Sequence, residues 1–390
     1  MSAKKQLESR RLSRNLHKIV SSSFPYTILS ILVGFIAGGI ALLIAGYNPL
    51  EAYASLFRAI FLNAKTGKLS TKSMTYSFIE YANPYILTGL SVAFSFKTGI
   101  FNIGAEGQYI VGSLAACLVA IFVKAPAWVL IPLCILASIA AGVLWGGIVG
   151  YLKVRFGSHE VLCMIMFNWI AFYLSNYIAG FPAIHSEGNA EATKNVAAHA
   201  RILLSQNVIK SLDLCPTANW GILVAVALTV LVYFIIEKTT LGYELKAVGY
   251  NKHAAEYAGI NVNRSILTSL SISGALGGIA GALLLLGMGG RISIFTSQEG
   301  YGFAGIVVAL IGVTNPFGVF VAGLFYGAMT YGGSKLNLVG APTQVVNIIM
   351  GTIVFFIAIS TIFSYLGNLK LKKTAAPAAN AAAGKEDNQK

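Results

Sequence analysis

The chain has 390 residues, of which 56% are hydrophobic and only 11% are charged, whereas a soluble globular domain carries about 25% charged residues. This composition excludes an ordinary soluble enzyme and, with several apolar runs of about 20 residues, predicts an all-α polytopic membrane protein. The net charge of +14 is expected to reflect cytoplasmic loops and contact with membrane lipid, and no nucleic-acid partner is predicted.

Apolar segments of the chain predict about ten transmembrane helices, preceded by a basic cytoplasmic tail over residues 1–25. The transmembrane domain covers residues 26–368, and a Lys- and Ala-rich cytoplasmic tail over residues 369–390 is predicted to be disordered. The predicted spans are residues 26–46, 83–96, 98–123, 128–152, 161–181, 219–236, 265–288, 301–313, 317–330 and 343–365.

The basic residues predict the orientation of these spans. With both termini in the cytoplasm, 18 of the 28 Lys and Arg residues fall in cytoplasmic segments, and the opposite orientation would reverse this bias. The long polar segment over residues 182–217 then lies outside, and the loop over residues 239–263 lies inside.

Two of the spans, residues 301–313 and 317–330, are unusually short. Runs of about 13 residues are too short to cross a bilayer as straight helices. They are separated by Asn315 and Pro316. We therefore expect half-length or broken helices that line a cavity within the protein.

Polar residues inside two apolar spans indicate a candidate substrate path. If residues 98–116 are helical, Asn102, Glu106 and Tyr109 lie on one face. A charged side chain at membrane depth costs about 3 kcal/mol, so Glu106 should face the bundle interior or a water-filled path. Asn168 is a single amide in another apolar span, surrounded by aromatic residues. For Glu106 and Asn168, hydrogen bonds to neighbouring helices or to backbone groups are the alternative roles.

Sequence motifs for catalysis and metal binding are absent. The chain has no Walker A, H-E-x-x-H or G-x-S-x-G motif, and its four cysteines form no C-x-x-C pair. We therefore expect no catalytic residues and no metal ligands in this chain. The loop over residues 239–263 has two candidate short helices, which suit either a docking surface or a plain connection.

Several segments stand out along the chain, in the order AGYNPLEAYASLF, NPYILTGLSVAFSFKTGIFNIGAEGQ, LCMIMFNWIA, TTLGYELKAVGYNKHAAEYAGINV and EGYGFAGIVVALIGVTNPFGVFVAGLFYG. In this order they resemble the permease subunits of simple-sugar and nucleoside ABC importers, the branched-chain amino acid/ribose-type permease family. The resemblance covers residues 26–368, and the NIGAEGQ form together with the long polar segment before the sixth span resembles the nucleoside branch.

The resemblance implies a multi-pass protein of the bacterial cytoplasmic (inner) membrane and three protein partners. These are a cytoplasmic ABC ATPase, a second, related but different permease, and an extracytoplasmic substrate-binding lipoprotein. ATP and Mg²⁺ would be bound by the ATPase, with no cofactor in this chain. The ATPase would dock on the loop over residues 239–263, through Leu241, Gly242, Glu244, Ala247, Val248, Gly249, Ala254, Ala255 and Gly259.

Two other classes of function fit parts of the sequence. An ion-coupled secondary transporter of a small polar solute also uses broken helices and an intramembrane carboxylate. Glu106, however, has no obvious charged partner in the sequence. A passive channel or structural scaffold explains the abundant glycines but not the long inner loop.

Overall fold

The computed structural model describes residues 23–63, 67–186, 188–294 and 296–359. The predicted tails, apart from residues 23–25, lie outside the described residues. The described residues form two compact units, one of residues 23–46 and 345–359 and the other of those between 47 and 344.

The described part of the first unit consists of two helices. Helix α1 spans Ser23–Ile44, and the last described helix, α15, spans Val345–Ile359. They meet at Gly34, where an added Cβ would lie 2.3 Å from a side-chain carbon of Ile353.

The described residues of the second unit are mostly helical and include an antiparallel pair of short strands, β1 (His185–Ser186) and β2 (Asn189–Thr193). Its helices are α2 (Pro49–Phe61), α3 (Thr71–Thr75), α4 (Ala82–Phe96), α5 (Ala105–Phe122), α6 (Ala127–Phe156), α7 (Glu160–Ala179), α8 (Gln206–Ser211), α9 (Gly221–Lys238), α10 (Thr240–Tyr250), α11 (Lys252–Tyr257), α12 (Val262–Leu284), α13 (Tyr301–Ile311) and α14 (Pro316–Ser334). One π-helical turn, Tyr76–Glu80, precedes α4, and another, Leu285–Gly289, extends α12.

Each predicted span coincides with one of these helices. Within the described residues, six helices are long and apolar enough to cross a membrane: α1, α5, α6, α7, α9 and α12. The other four predicted spans coincide with α4, α13, α14 and α15, which are shorter or more polar. The prediction of an all-α polytopic membrane protein is confirmed.

The two short spans differ from each other. Helix α13 has 11 residues and is about 16 Å long, so it is half-length as predicted. Helix α14 has 19 residues, so the prediction that it ends at residue 330 is wrong. The helix continues to Ser334, and in its last turn Gly332 packs against the backbone of Leu56. Tertiary contacts therefore outweigh the polar composition of the last turn.

Helix α12 is the most enclosed of the six long helices, and glycines let α6 approach its backbone. An added Cβ on Gly142 of α6 would lie 2.1 Å from the carbonyl oxygen of Gly274. One on Gly278 would lie 2.3 Å from the carbonyl oxygen of Ser138. Such close backbone contact is how helices associate where lipid removes the hydrophobic driving force. The contact holds α12 in a fixed place against α6.

Candidate functional site: a cavity and the helix junction behind it

A cavity of about 360 Å³ lies between α5, α7, the end of α12 and the segment that leads into α13. Its wall combines aromatic rings, hydroxyl groups, a carboxylate and a guanidinium. The lining residues are Tyr109, Ile110, Ser113, Phe172, Ser175, Asn176, Leu284, Leu285, Met288, Gly289, Arg291, Ile292, Ser293, Ser297, Glu299 and Tyr301.

Tyr109 is the one residue of the predicted path that lines this cavity. Its hydroxyl donates a hydrogen bond of 2.6 Å to Oε2 of Glu299. Its ring centroid lies 5.3 Å from that of Tyr301, a separation typical of favourable aromatic pairs. Tyr109 therefore ties α5 to the start of α13 at the cavity wall.

Glu106 lies behind the wall, fully buried. Its Oε1 accepts the backbone N–H of Gly300 at 2.8 Å, and its Oε2 accepts that of Gly302 at 2.6 Å. The first N–H groups of a helix have no partner within the helix and attract negative charge. Glu106 therefore caps α13 and holds it against α5, which is the backbone-bonding role left open by the sequence.

Asn168 braces the start of α5 from α7. Its Oδ1 accepts the backbone N–H of Gly107 at 2.8 Å, and its Nδ2 donates to the Ile103 carbonyl at 3.0 Å. The side chain is buried. Asn168 thus makes the interhelical hydrogen bonds that were its alternative role, and it does not line the cavity.

Asn102 does not share a helical face with Glu106, because α5 begins only at Ala105. The expectation of one helix through Asn102 is wrong. Gly99 has a left-handed backbone with φ +72°, which ends the turn after α4 and leads into an irregular stretch. From there Asn102 donates hydrogen bonds to Oγ of Ser273 at 2.6 Å and to Oε1 of Gln108 at 3.1 Å. Asn102 thus joins α5 to α12.

Glu299 is a cavity residue that the sequence analysis missed. It lies in the polar segment before α13, where a carboxylate is an ordinary residue and indicates no function. The available signal was its position just before Gly300, whose φ is +86°, at the start of an unusually short apolar helix.

The predicted coupling residues lie on α10, α11 and the turn that follows. Thr239 caps α10 and Asn251 caps α11 through their side-chain oxygens. The nine residues divide by exposure. Gly249, Ala254 and Gly259 are exposed, Leu241, Glu244 and Ala247 are half-buried, and Gly242, Val248 and Ala255 are buried.

Two of the three glycines predicted for coupling, Gly242 and Gly249, pack against other parts of this chain. An added Cβ on Gly249 would lie 2.1 Å from the Lys97 carbonyl oxygen. One on Gly242 would lie 2.3 Å from the Ile235 carbonyl oxygen. These two glycines therefore allow α10 to pack closely against neighbouring segments of this chain.

Three tyrosines, also missed, cover the outside of this segment: Tyr243, Tyr250 and Tyr257 are 69%, 91% and 96% exposed. Their seven-residue spacing was the signal in the sequence.

Apolar helices around a partly polar cavity, with a polar helical segment between two of them, are the arrangement expected of a membrane permease. A family model for the permease component of branched-chain amino acid transport systems matches residues 74–358. The chain belongs to this family. It is an ABC-transporter permease and a multi-pass inner-membrane protein, which sets aside the secondary-transporter and channel alternatives.

Curated relatives match most of the chain. It is 38% identical over 347 residues to the guanosine ABC transporter permease NupP of Bacillus subtilis, covering 88% of this chain and 96% of NupP. It is 33% identical to the nucleoside ABC transporter permease NupB of Lactococcus lactis, covering 87% of this chain and 92% of NupB. It is 32% identical to the glucose ABC transporter permease TsgB13 of Haloferax volcanii, covering 86% of this chain and 87% of TsgB13.

Proposed function

We propose that this chain forms the translocation path for a nucleoside, or for a simple sugar, in an ABC importer, and that the cavity is part of this path. The observation that carries the proposal is the mixed lining of the cavity. The rings of Tyr109, Phe172 and Tyr301 offer faces on which a base or sugar ring can stack. Ser113 and Ser175 add hydroxyl groups for its polar edge.

The size and surroundings of the cavity support this role. Its volume of about 360 Å³ lies in the range of small-molecule sites, about 300–1,000 Å³. Nucleosides and glucose are the solutes that the relatives' names state. Asn102, Glu106 and Asn168 brace the wall through buried hydrogen bonds. An external binding lipoprotein would deliver the solute to this path.

The second part of the proposal is that the ATPase docks on α10 and α11 of this chain. Exposed aromatic residues are typical anchors of protein interfaces, and Tyr250 and Tyr257 are almost fully exposed. Val248 and Ala255 are buried within the chain, so they would act by holding the two helices in place. ATP and Mg²⁺ would be bound by the ATPase, and a related second permease would complete the membrane part.

Partner capture and uptake test the proposal together. The tagged chain is purified from its native membrane in mild detergent, and its companions are identified by mass spectrometry. We expect a Walker-motif ATPase and a second permease, and ATP-dependent uptake of labelled guanosine that is lost when the chain is deleted. A chain that purifies alone and transports in liposomes without ATP would contradict the proposal.

The docking surface is tested by Tyr250→Ala. Because this side chain is 91% exposed, its truncation should leave the fold intact and reduce ATPase capture about tenfold. Tyr177→Ala is the matched control, since Tyr177 is 68% exposed on α7, away from α10 and α11. Equal ATPase capture by the two variants would contradict the docking role. Gly249→Leu is less informative, because its side chain would collide with the Lys97 carbonyl.

A further inference from the structure

One carboxylate oxygen at the cavity wall has no donor. Oε2 of Glu299 accepts the Tyr109 hydroxyl, whereas Oε1 accepts no hydrogen bond from the part of the chain that the structure describes. No basic side chain among the described residues pairs with Glu299 either. Glu299 lines the cavity and is exposed to it.

Among the described residues, Glu299 also does not cap α13, the helix that follows it. The N–H groups of Gly300 and Gly302, at the start of α13, are already taken by Glu106. The Tyr109 hydroxyl bond fixes the direction of the Glu299 carboxylate and uses only one of the about four lone-pair sites of an ionised carboxylate. The geometry therefore leaves a fixed, acceptor-only group directed at the cavity.

We propose that Glu299 is a specificity-determining residue whose carboxylate accepts hydrogen bonds from two adjacent donors of a neutral solute. This inference rests on the function proposed above and deepens it. Adjacent donors occur in the 2′,3′-hydroxyl pair of a ribose and in the N1–H and 2-amino edge of a guanine. Both present two hydrogens to one carboxylate, and such charge-assisted bonds are stronger than bonds between neutral groups.

The neighbouring rings suit this arrangement. Tyr301 contacts both Tyr109 and Tyr85, with ring centroids 5.3 Å and 5.4 Å apart. These contacts keep the aromatic wall beside Glu299 in place, so a solute held by the carboxylate would lie against a fixed ring. A site that hydrogen-bonds its solute rejects analogues that lack the donors, because its own polar group is then left unpaired.

The test is Glu299→Gln in the complete transporter in cells. Initial uptake of labelled guanosine, inosine and 2′-deoxyguanosine is measured at concentrations that saturate the external binding protein. For each solute the variant is expressed as a ratio to wild type, so that the selectivity of the binding protein cancels. Glu51→Gln, the same change of charge at an exposed position on α2, is the control and should leave all three ratios near one.

If the ribose hydroxyls are the donors, uptake of guanosine and inosine should fall about tenfold, and uptake of 2′-deoxyguanosine, which keeps only the 3′-hydroxyl, should fall less. If the guanine edge supplies the donors, guanosine and 2′-deoxyguanosine should fall about tenfold, and inosine, which keeps only N1–H, should fall less. Equal ratios for all three solutes, whether unchanged or reduced, would overturn the proposal.

Two further outcomes are decisive. Should Glu299→Gln fail to reach the membrane, Glu299→Asp is measured in its place. This variant keeps the charge but shortens the side chain, and it should lower uptake of the same solutes as expected for Glu299→Gln. Loss of both variants from the membrane would assign Glu299 to the fold and overturn the inference. Absence of nucleoside uptake in wild type would overturn the proposed function itself, and the two failures are thereby distinguished.

Discussion

Two carboxylates that lie at the start of α13, Glu106 and Glu299, are used in opposite ways. Glu106 is fully buried, and both of its oxygens accept backbone N–H groups of α13. Glu299 faces the cavity, and the described residues donate a hydrogen bond to only one of its oxygens. Burying a charge is costly unless hydrogen bonds compensate for its lost hydration. The bracing carboxylate is thus both buried and fully hydrogen-bonded, whereas the carboxylate left for a solute is exposed to the cavity and keeps a free oxygen among the described residues.

The largest expected effect comes from separating the bracing carboxylate from its helix. In Gly302→Val, the new Cβ would lie 2.1 Å from the Glu106 backbone nitrogen and 2.4 Å from its Cα. Backbone cannot yield as a flexible side chain can, so α13 should lose its place on α5 and the protein should not accumulate in the membrane. Gly351→Val, where a Cβ has open space, should accumulate normally. Normal amounts of Gly302→Val, measured by immunoblot, would contradict the junction described here.

Removing the cap itself should cost less. Glu106→Ala leaves the N–H groups of Gly300 and Gly302 unpaired, with an expected loss of about 3 kcal/mol of stability. Glu106→Gln keeps one acceptor and should lose about half as much. Thermal unfolding of the purified protein in detergent measures both. An Ala variant with the wild-type midpoint would show that Glu106 does not brace α13.

The brace from α7 should be weaker still. Asn168→Ala leaves the Gly107 N–H and the Ile103 carbonyl unsatisfied, so we expect a loss of about 2 kcal/mol. Asn168→Asp keeps the acceptor for Gly107 and should fall between Ala and wild type in the same unfolding assay. An Asp variant less stable than the Ala variant would show that the Gly107 bond is not the main contribution.

The smallest effect on stability is expected on the cavity side. Tyr109→Phe removes the hydroxyl bond to Glu299 but keeps the ring contact with Tyr301, so the loss should be about 1 kcal/mol. Uptake, in contrast, should change, because the Glu299 carboxylate is no longer held in one direction. If Tyr109→Phe lowers the unfolding midpoint and leaves uptake normal, the Tyr109–Glu299 bond supports the fold and does not position a solute-binding group.

The arrangement of helices was largely predictable. Hydropathy alone located helices such as α5 and α12, because a run of apolar residues has few alternatives in a bilayer. The end of α14 was not predictable, since it depends on Gly332 packing against Leu56, a contact between residues far apart in the sequence. The start of α5 depended on the left-handed Gly99, which the apolar pattern does not reveal.

The site was predictable only where polar residues interrupt apolar runs. Glu106 and Asn168 stand out in their spans, but the sequence could not decide between bracing and solute contact. Glu299 and Tyr250 lie in polar segments, where a carboxylate or a tyrosine is ordinary, and only the fold shows one at a cavity and the other on an exposed helix. Their roles depend on which atoms the rest of the chain leaves unpaired or uncovered.

The most direct test of this account compares Glu106→Gln with Glu299→Gln in one experiment, measuring the unfolding midpoint and the uptake of labelled guanosine. We predict that Glu106→Gln lowers the midpoint, with uptake per folded molecule close to wild type. Glu299→Gln should keep the wild-type midpoint and lose uptake about tenfold. The reverse pattern, or the same pattern for both variants, would contradict the division between a bracing and a solute-binding carboxylate.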